Sequence, residues 1–283
     1  MTFGRSGAAG EPPFATETPV LRAGASEAEL APFESHVGRS PWEVPQAAAT
    51  ERLGLADRIT ALTRGRVQME GGYAYVYDES AGLRASRHSV PDLLLRVGLS
   101  DRLEMRLGWP GYVATRYDGD LAPDSTGETL DPNVGFMFDL CPQRGWIPQT
   151  AVSASVPITW KGDPFALRSL QPVGELLYCW YLGDRLALGG GTGFALFREQ
   201  GDHFSQLQQS INVDYLLNDR LDAFAAWEVL IDHGSADDGS QHLLSGGISW
   251  LVTERTSVTW RIGAGMNPRA PDFLTALRFA MRF

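Results

Sequence analysis

Four short segments of this chain repeat almost the same wording at intervals along it. Leu99-Ser100-Asp101-Arg102-Leu103, Leu182-Gly183-Asp184-Arg185-Leu186 and Leu217-Asn218-Asp219-Arg220-Leu221 are close copies, and Val252-Thr253-Glu254-Arg255-Thr256 is a looser fourth. Each lies between two runs in which apolar and polar residues alternate, so each reads as a tight hairpin turn. A fifth connection, Cys141 to Trp146, falls where the spacing wants one. Connections of another kind lie between them: Asp118 to Asp131, Lys161 to Ser169, Glu199 to His203 and Asp232 to Gln241 are longer, polar and mostly glycine-bearing. Tight turn and longer loop thus take turns along the chain. Antiparallel hairpins with short turns at one end and long loops at the other are the arrangement of a membrane barrel, whereas a soluble sandwich has no reason to sort its loops by length.

The runs between these markers give strands near 66–77, 88–99, 102–115, 132–142, 149–159, 172–182, 185–198, 205–217, 220–232, 242–252, 255–267 and 271–283. Most supply the roughly 9 to 11 residues that a tilted strand needs to cross a hydrocarbon layer. The expected fold is all-β: a single closed antiparallel transmembrane β-barrel of about twelve strands over residues 65–283, preceded by a largely disordered N-terminal segment. Residues 1–50, rich in Ala, Gly, Pro, Ser and Glu, read as a disordered leader. Residues 51–64 read either as a short plug helix, with Leu55, Ile59 and Leu62 at helical spacing, or as a lead-in to the first strand.

The period of two assigns faces. One takes Leu93, Leu95 and Val97; Phe136, Phe138 and Leu140; Ile211, Val213 and Tyr215; and, near the end, Leu277, Phe279, Met281 and Phe283. The other takes Glu70, Arg96, Glu104, Arg106, Asp139, Glu175, Asp214, Glu228, Arg261, Arg278 and Arg282. Isolated charges in a dry interior are prohibitive, so this second face is wet or internally paired. It lines either a polar passage or a salt-bridged, filled lumen. Tyr178, Trp180, Tyr215, Trp250 and Phe283 sit near the tight-turn end, where an interfacial girdle belongs, although a sandwich core also favours aromatics.

Other features bound the function. A formal net charge of -10 argues against nucleic acid as a partner. Cys141 and Cys179 match no metal-ligand or redox spacing and read as ordinary thiols rather than a disulfide. No cofactor and no metal site are expected, since Pro123 and a missing central glycine spoil a calcium loop from Asp118, Asp120, Asp124 and Glu128. The stretch Met1 to Val20 carries Glu11, Pro12, Pro13, Glu17 and Pro19 and no apolar core, so a secretory signal is expected upstream of Met1. There is no Gly-x-Ser-x-Gly elbow, P-loop or His-Glu-x-x-His, and the expectation is a protein without enzymatic activity. A lipase on a barrel needs a Ser/His pair facing lipid near the rim, and the sequence singles none out.

The run Gly65 to Tyr75 resembles the first-strand signature of the outer-membrane proteins grouped under the MetA pathway of phenol degradation. Leu94 to Trp109 resembles that family's second and third strands. Gly263-Ala264-Gly265-Met266-Asn267, Ala270-Pro271-Asp272-Phe273 and the closing Arg282-Phe283 resemble its end. The resemblance spans about residues 56–283 and implies a transporter-like barrel in the outer membrane of a Gram-negative-type cell, with no defined solute. The terminal Phe283, behind an alternating strand, is similar to the signal read by the barrel-assembly machinery. The expected partners are the lipid bilayer, that machinery and a small polar or aromatic solute.

Overall fold

The computed structural model describes residues 59–80, 83–118, 124–158, 172–199, 202–234 and 239–283. Fourteen strands form one antiparallel sheet. They are β1 (Val67–Ser80), β2 (Leu83–Gly98), β3 (Leu103–Trp109), β4 (Tyr112–Asp118), β5 (Asp124–Thr129), β6 (Asn133–Cys141) and β7 (Gln149–Pro157). Then come β8 (Val173–Leu182), β9 (Leu186–Glu199), β10 (Asp202–Asn218), β11 (Leu221–His233), β12 (Gly239–Thr253), β13 (Thr256–Gly265) and β14 (Phe273–Arg282). Successive strands pair except β3 with β4 and β5 with β6: β4 leaves β3 to pair with β2, β3 meets β6 instead, and β1 pairs with both β14 and β2. The ring therefore closes on twelve strands, with β4 and β5 outside it. Closure leaves the ring no free edge. Among the described residues no helix is long and apolar enough to cross a membrane.

The repeated turn has a physical reason. Its second position supplies a side-chain oxygen that accepts from the backbone N–H two residues on: Asn218 Oδ1 from Arg220 at 2.9 Å, Ser100 Oγ from Arg102 at 3.3 Å, Thr253 Oγ1 from Arg255 at 3.2 Å. Such local bonds favour turns over continued strand. The remaining copy uses Gly183, whose φ of +72° only glycine adopts freely. The arginine then opens the next strand. Its carbonyl accepts from the strand beyond: Arg102 from Asp139, Arg185 from Leu216, Arg220 from Leu251 and Arg255 from Arg282, all between 2.8 and 2.9 Å. Each turn thus stitches its own hairpin to the following one.

At the loop end the structure departs from the sequence-based boundaries. Residues 118–131 were expected to be one long loop, but Asp124–Thr129 is strand β5, which pairs with β4 from Tyr112↔Thr129 to Tyr117↔Asp124. This Asp-Ser-Thr-Gly-Glu-Thr run has no apolar alternation because both its faces are exposed wherever burial is described. The β4–β5 ribbon continues β3 and β6 beyond the ring and leans on the upper half of β2. Gly111 makes the offset possible: its φ is +88°, and a Cβ there would lie 2.3 Å from the Pro91 carbonyl oxygen. The Asp232–Gln241 connection is likewise shorter than expected, since β11 reaches His233 and β12 begins at Gly239.

The outer surface is apolar. Phe136, Phe138, Ile211, Val213, Tyr215, Trp227, Trp250, Trp260, Leu277, Phe279 and Phe283 are all exposed. Buried positions are instead rich in charge and amide: Gln68, Glu70, Arg96, Glu104, Gln206, Gln208, Asn212, Asp214, Glu228, Arg261 and Arg282. A single-layer wall with its oil outside and its ions inside is inverted relative to a soluble sandwich, and suits a hydrocarbon solvent.

Candidate functional site: the charged interior and its strap

Charge on one inner wall forms a continuous chain of alternating sign. Asp92 pairs with Arg278, Arg278 with Glu70 at 3.4 Å, Glu70 with Arg96 at 3.5 Å, Arg96 with Glu104 at 2.7 Å, and Glu104 with Arg106 at 2.8 Å. The Arg96–Glu104 contact is a fork, with Nε on one carboxylate oxygen and Nη2 on the other at 2.8 Å. Gln68 extends the chain, donating to Glu70 at 2.9 Å and accepting from Arg282 at 3.0 Å. The residues come from β14, β1, β2 and β3, and alternation alone aims them inward. Six of the residues expected on the inner face, Glu70, Arg96, Glu104, Arg106, Arg278 and Arg282, therefore meet in one network.

The others sit elsewhere on the wall. Glu228 and Arg261 pair with each other. Glu175 accepts from Ser153 at 3.2 Å, and Asp214 accepts from Asn212 at 2.6 Å. On β10 the polar track continues upward, Gln208 donating to Gln206 at 3.1 Å and Gln206 to Asp232 at 2.8 Å. It runs beside the glycine-rich inner face of β9 (Gly189, Gly191, Gly193), which leaves room for these long amides.

Asp139 has a different partner, and it leads to a feature the sequence reading missed. Both its oxygens accept from the Ala61 backbone N–H, at 3.0 and 3.1 Å. Glu104 accepts from the Leu62 N–H at 2.8 Å, Arg96 donates to the Thr60 carbonyl at 3.2 Å, and Gln149 donates to the Thr60 hydroxyl at 2.7 Å. Residues 59–66 are an irregular strap that folds into the barrel at the tight-turn end. Of the expected plug helix or lead-in, residues 51–58 lie outside the described residues, and 59–64 are not helical. Ile59 and Ala61 pack with Met137, Ala151, Leu177, Cys179 and Ala187 in an apolar floor inside the polar interior. Gly98 gives the strap its seat: a Cβ there would lie 2.1 Å from the Thr63 carbonyl oxygen and 2.4 Å from that of Leu62. The available signal was the cluster of small and apolar inward residues at one level of β6 to β9, which a wet lumen does not need.

Neither thiol is in a disulfide: Cys179 lies in that floor and Cys141 is hydrogen-bonded to Thr150 at 3.0 Å. The β6–β7 connection differs from the other tight turns. It is a miniature hairpin closed by mutual Arg144 and Ile147 backbone bonds, with Trp146 89 % exposed at its tip and tied through its carbonyl to the outward-facing Trp180 at 2.8 Å.

A closed barrel with an apolar exterior, a paired ionic interior and this sequence of strands also has counterparts. The family described as "Putative MetA-pathway of phenol degradation" matches residues 55–283. The chain belongs to that family. No curated protein matches it by sequence. Among solved structures, the translocator domain of the autotransporter NalP from Neisseria meningitidis is similar at a TM-score of 0.50 and 11 % identity, over 77 % of this chain and 88 % of that one. The NanC porin follows at 0.47 and 10 %, over 76 % and 98 %, and the KdgM porin at 0.45 and 8 %, over 76 % and 99 %. At such identities the likeness is one of fold alone. Family and fold together make this an outer-membrane β-barrel.

Proposed function

We propose that the barrel is a channel for small polar or aromatic solutes, whose tight-turn mouth is occluded by the strap at residues 59–66. The observation that carries this reading is the strap's mode of attachment. It is held to the ionic wall through its backbone by Asp139, Glu104 and Arg96 and through the Thr60 hydroxyl by Gln149, so it can leave without unfolding a strand. A wall with both signs and many amides offers successive weak sites to a polar solute, which conduction needs. The tight-turn end then faces the periplasm and the loop end the exterior. Phe283, whose backbone N–H joins Val67 at 2.8 Å and whose ring is exposed, is the segment the assembly machinery engages.

Swelling of proteoliposomes in sugars and small aromatic acids tests the reading, together with planar-bilayer conductance. Solute-dependent swelling above protein-free vesicles is expected. Baseline behaviour in both assays overturns transport and leaves the barrel standing. One observation favours a second reading, a closed scaffold acting through its loops: Glu104 and Asp214 are 0 % exposed and Arg96 is 1 % exposed. Deleting residues 119–130 then abolishes a partner interaction without changing permeability.

A further inference from the structure

The loop-end rim of β12 brings together a serine, a histidine and an asparagine that the channel reading does not use. Ser240 and His242 are two residues apart on one strand, so their side chains share a face. Their cross-strand partners are Ile231 and Val229, and the next residue on that face, Leu244, faces Trp227. Ile231, Trp227 and Leu244 are exposed on the outer, apolar side of the wall. The pair therefore stands at the lipid-facing rim, and Ser240 Oγ lies 3.1 Å from His242 Nε2. That is hydrogen-bond reach between a nucleophile and its base.

Two neighbours fix this geometry. Asn267 clamps the strand from the side: its Oδ1 accepts from the His242 backbone N–H at 3.0 Å and its Nδ2 donates to the Ser240 carbonyl at 2.6 Å. Trp227 stacks on the imidazole, with centroids 5.8 Å apart and planes 27° apart. Arg269 lays its guanidinium on the opposite face of the strand, the side to which a Cβ on Gly239 would point. A Cβ on Gly239 would sit 2.4 Å from its Cζ and Nη1, so glycine is needed for that approach. Nucleophile, base and an apolar approach from lipid thus converge on one face of the rim.

We propose that Ser240 and His242 form a catalytic dyad that hydrolyses long-chain carboxylic esters presented at the lipid surface, phospholipid acyl esters being the substrate class. Ser240 Oγ attacks the acyl carbonyl carbon while His242 Nε2 takes the hydroxyl proton. The C–O bond to the leaving alcohol breaks, and that alcohol receives the proton from Nε2. Water then attacks the acyl-Ser240 ester with His242 again as base, releasing the fatty acid and restoring the serine. Asn267 and Trp227 are positioning residues. No third group bonds Nδ1 among the described residues, so turnover is that of a dyad rather than a triad.

The test uses the full chain refolded in detergent, with folding checked by heat-modifiable gel mobility. A fluorophosphonate probe should label one serine in the folded protein, mapped by peptide mass to Ser240. Mixed micelles of a phosphatidylglycerol with a fluorescent acyl chain should release the free acid. Ser240→Ala removes both signals. His242→Asn, which keeps the backbone bond to Asn267, lowers hydrolysis by roughly 100-fold or more. Absence of label at Ser240 in folded protein, or release equal in the wild type and Ser240→Ala, overturns the proposal. Conductance of Ser240→Ala stays at the wild-type level, so the outcome is separate from that of the channel reading.

Discussion

Replacing Gly98 tests the strap directly. A Cβ at this position would stand 2.1 Å from the Thr63 carbonyl oxygen, whereas ordinary contact begins at 3.4 Å, so the strap must retreat by about 1.3 Å. The Leu62 N–H now lies 2.8 Å from Glu104 and the Ala61 N–H 3.0 Å from Asp139, and a shift of that size carries both past hydrogen-bond range. Bonds to charged groups contribute about 1.5–3 kcal/mol each. Rehydration of the freed groups offsets part of the loss, leaving roughly 2–3 kcal/mol net against the docked strap. At 1.4 kcal/mol per tenfold, the undocked population rises roughly 30- to 150-fold in Gly98→Ala. Hydrogen exchange of the Ala61 and Leu62 amides reads this as lost protection, and conductance should rise with it. Gly174→Ala is the matched control, since a Cβ there meets nothing within 4 Å. Unchanged protection at both amides in a folded Gly98→Ala barrel would refute the reasoning.

Three further outcomes follow from the same structure. Arg261→Met strands a buried Glu228 carboxylate and should cost about 3–5 kcal/mol in the urea unfolding midpoint of the refolded barrel. Adding Glu228→Gln should recover most of it, and simple additivity of the two changes would contradict the buried pair. Gly183→Ala, at φ +72°, should destabilise by about 1 kcal/mol, with Gly183→Asn milder; equal effects would argue against a left-handed requirement. Phe283→Ser should lower the yield of folded protein in the outer membrane while leaving the midpoint of protein refolded in detergent nearly unchanged. An equal loss in both would make Phe283 a packing residue rather than an assembly signal.

The alternation at residues 93–99 and 273–283 made the wall readable because the bilayer imposes one rule on every outward position. The turns were readable because Ser100, Asn218 and Thr253 perform the same local bond. The strap was not, because its partners Asp139 and Glu104 lie 78 and 42 residues away and bind its backbone, which carries no residue code. Strand β5 escaped for the opposite reason: a strand that buries neither face has no period. Ser240 fell inside a stretch, 232–241, that looked like loop from composition, while His242 opened the strand read at 242–252. Only the pairing that starts β12 at Gly239 places the two on a common face.

The arginine carbonyl that couples each tight turn to the strand beyond it makes the hairpin, not the strand, the unit by which such a wall is lengthened. An inserted or deleted pair of strands arrives with its own fastening to the next, whereas a single strand would leave one turn without a neighbour to grip. Barrels of this design should therefore differ in circumference among relatives by steps of two, with the sequence of the turn unchanged at every added joint.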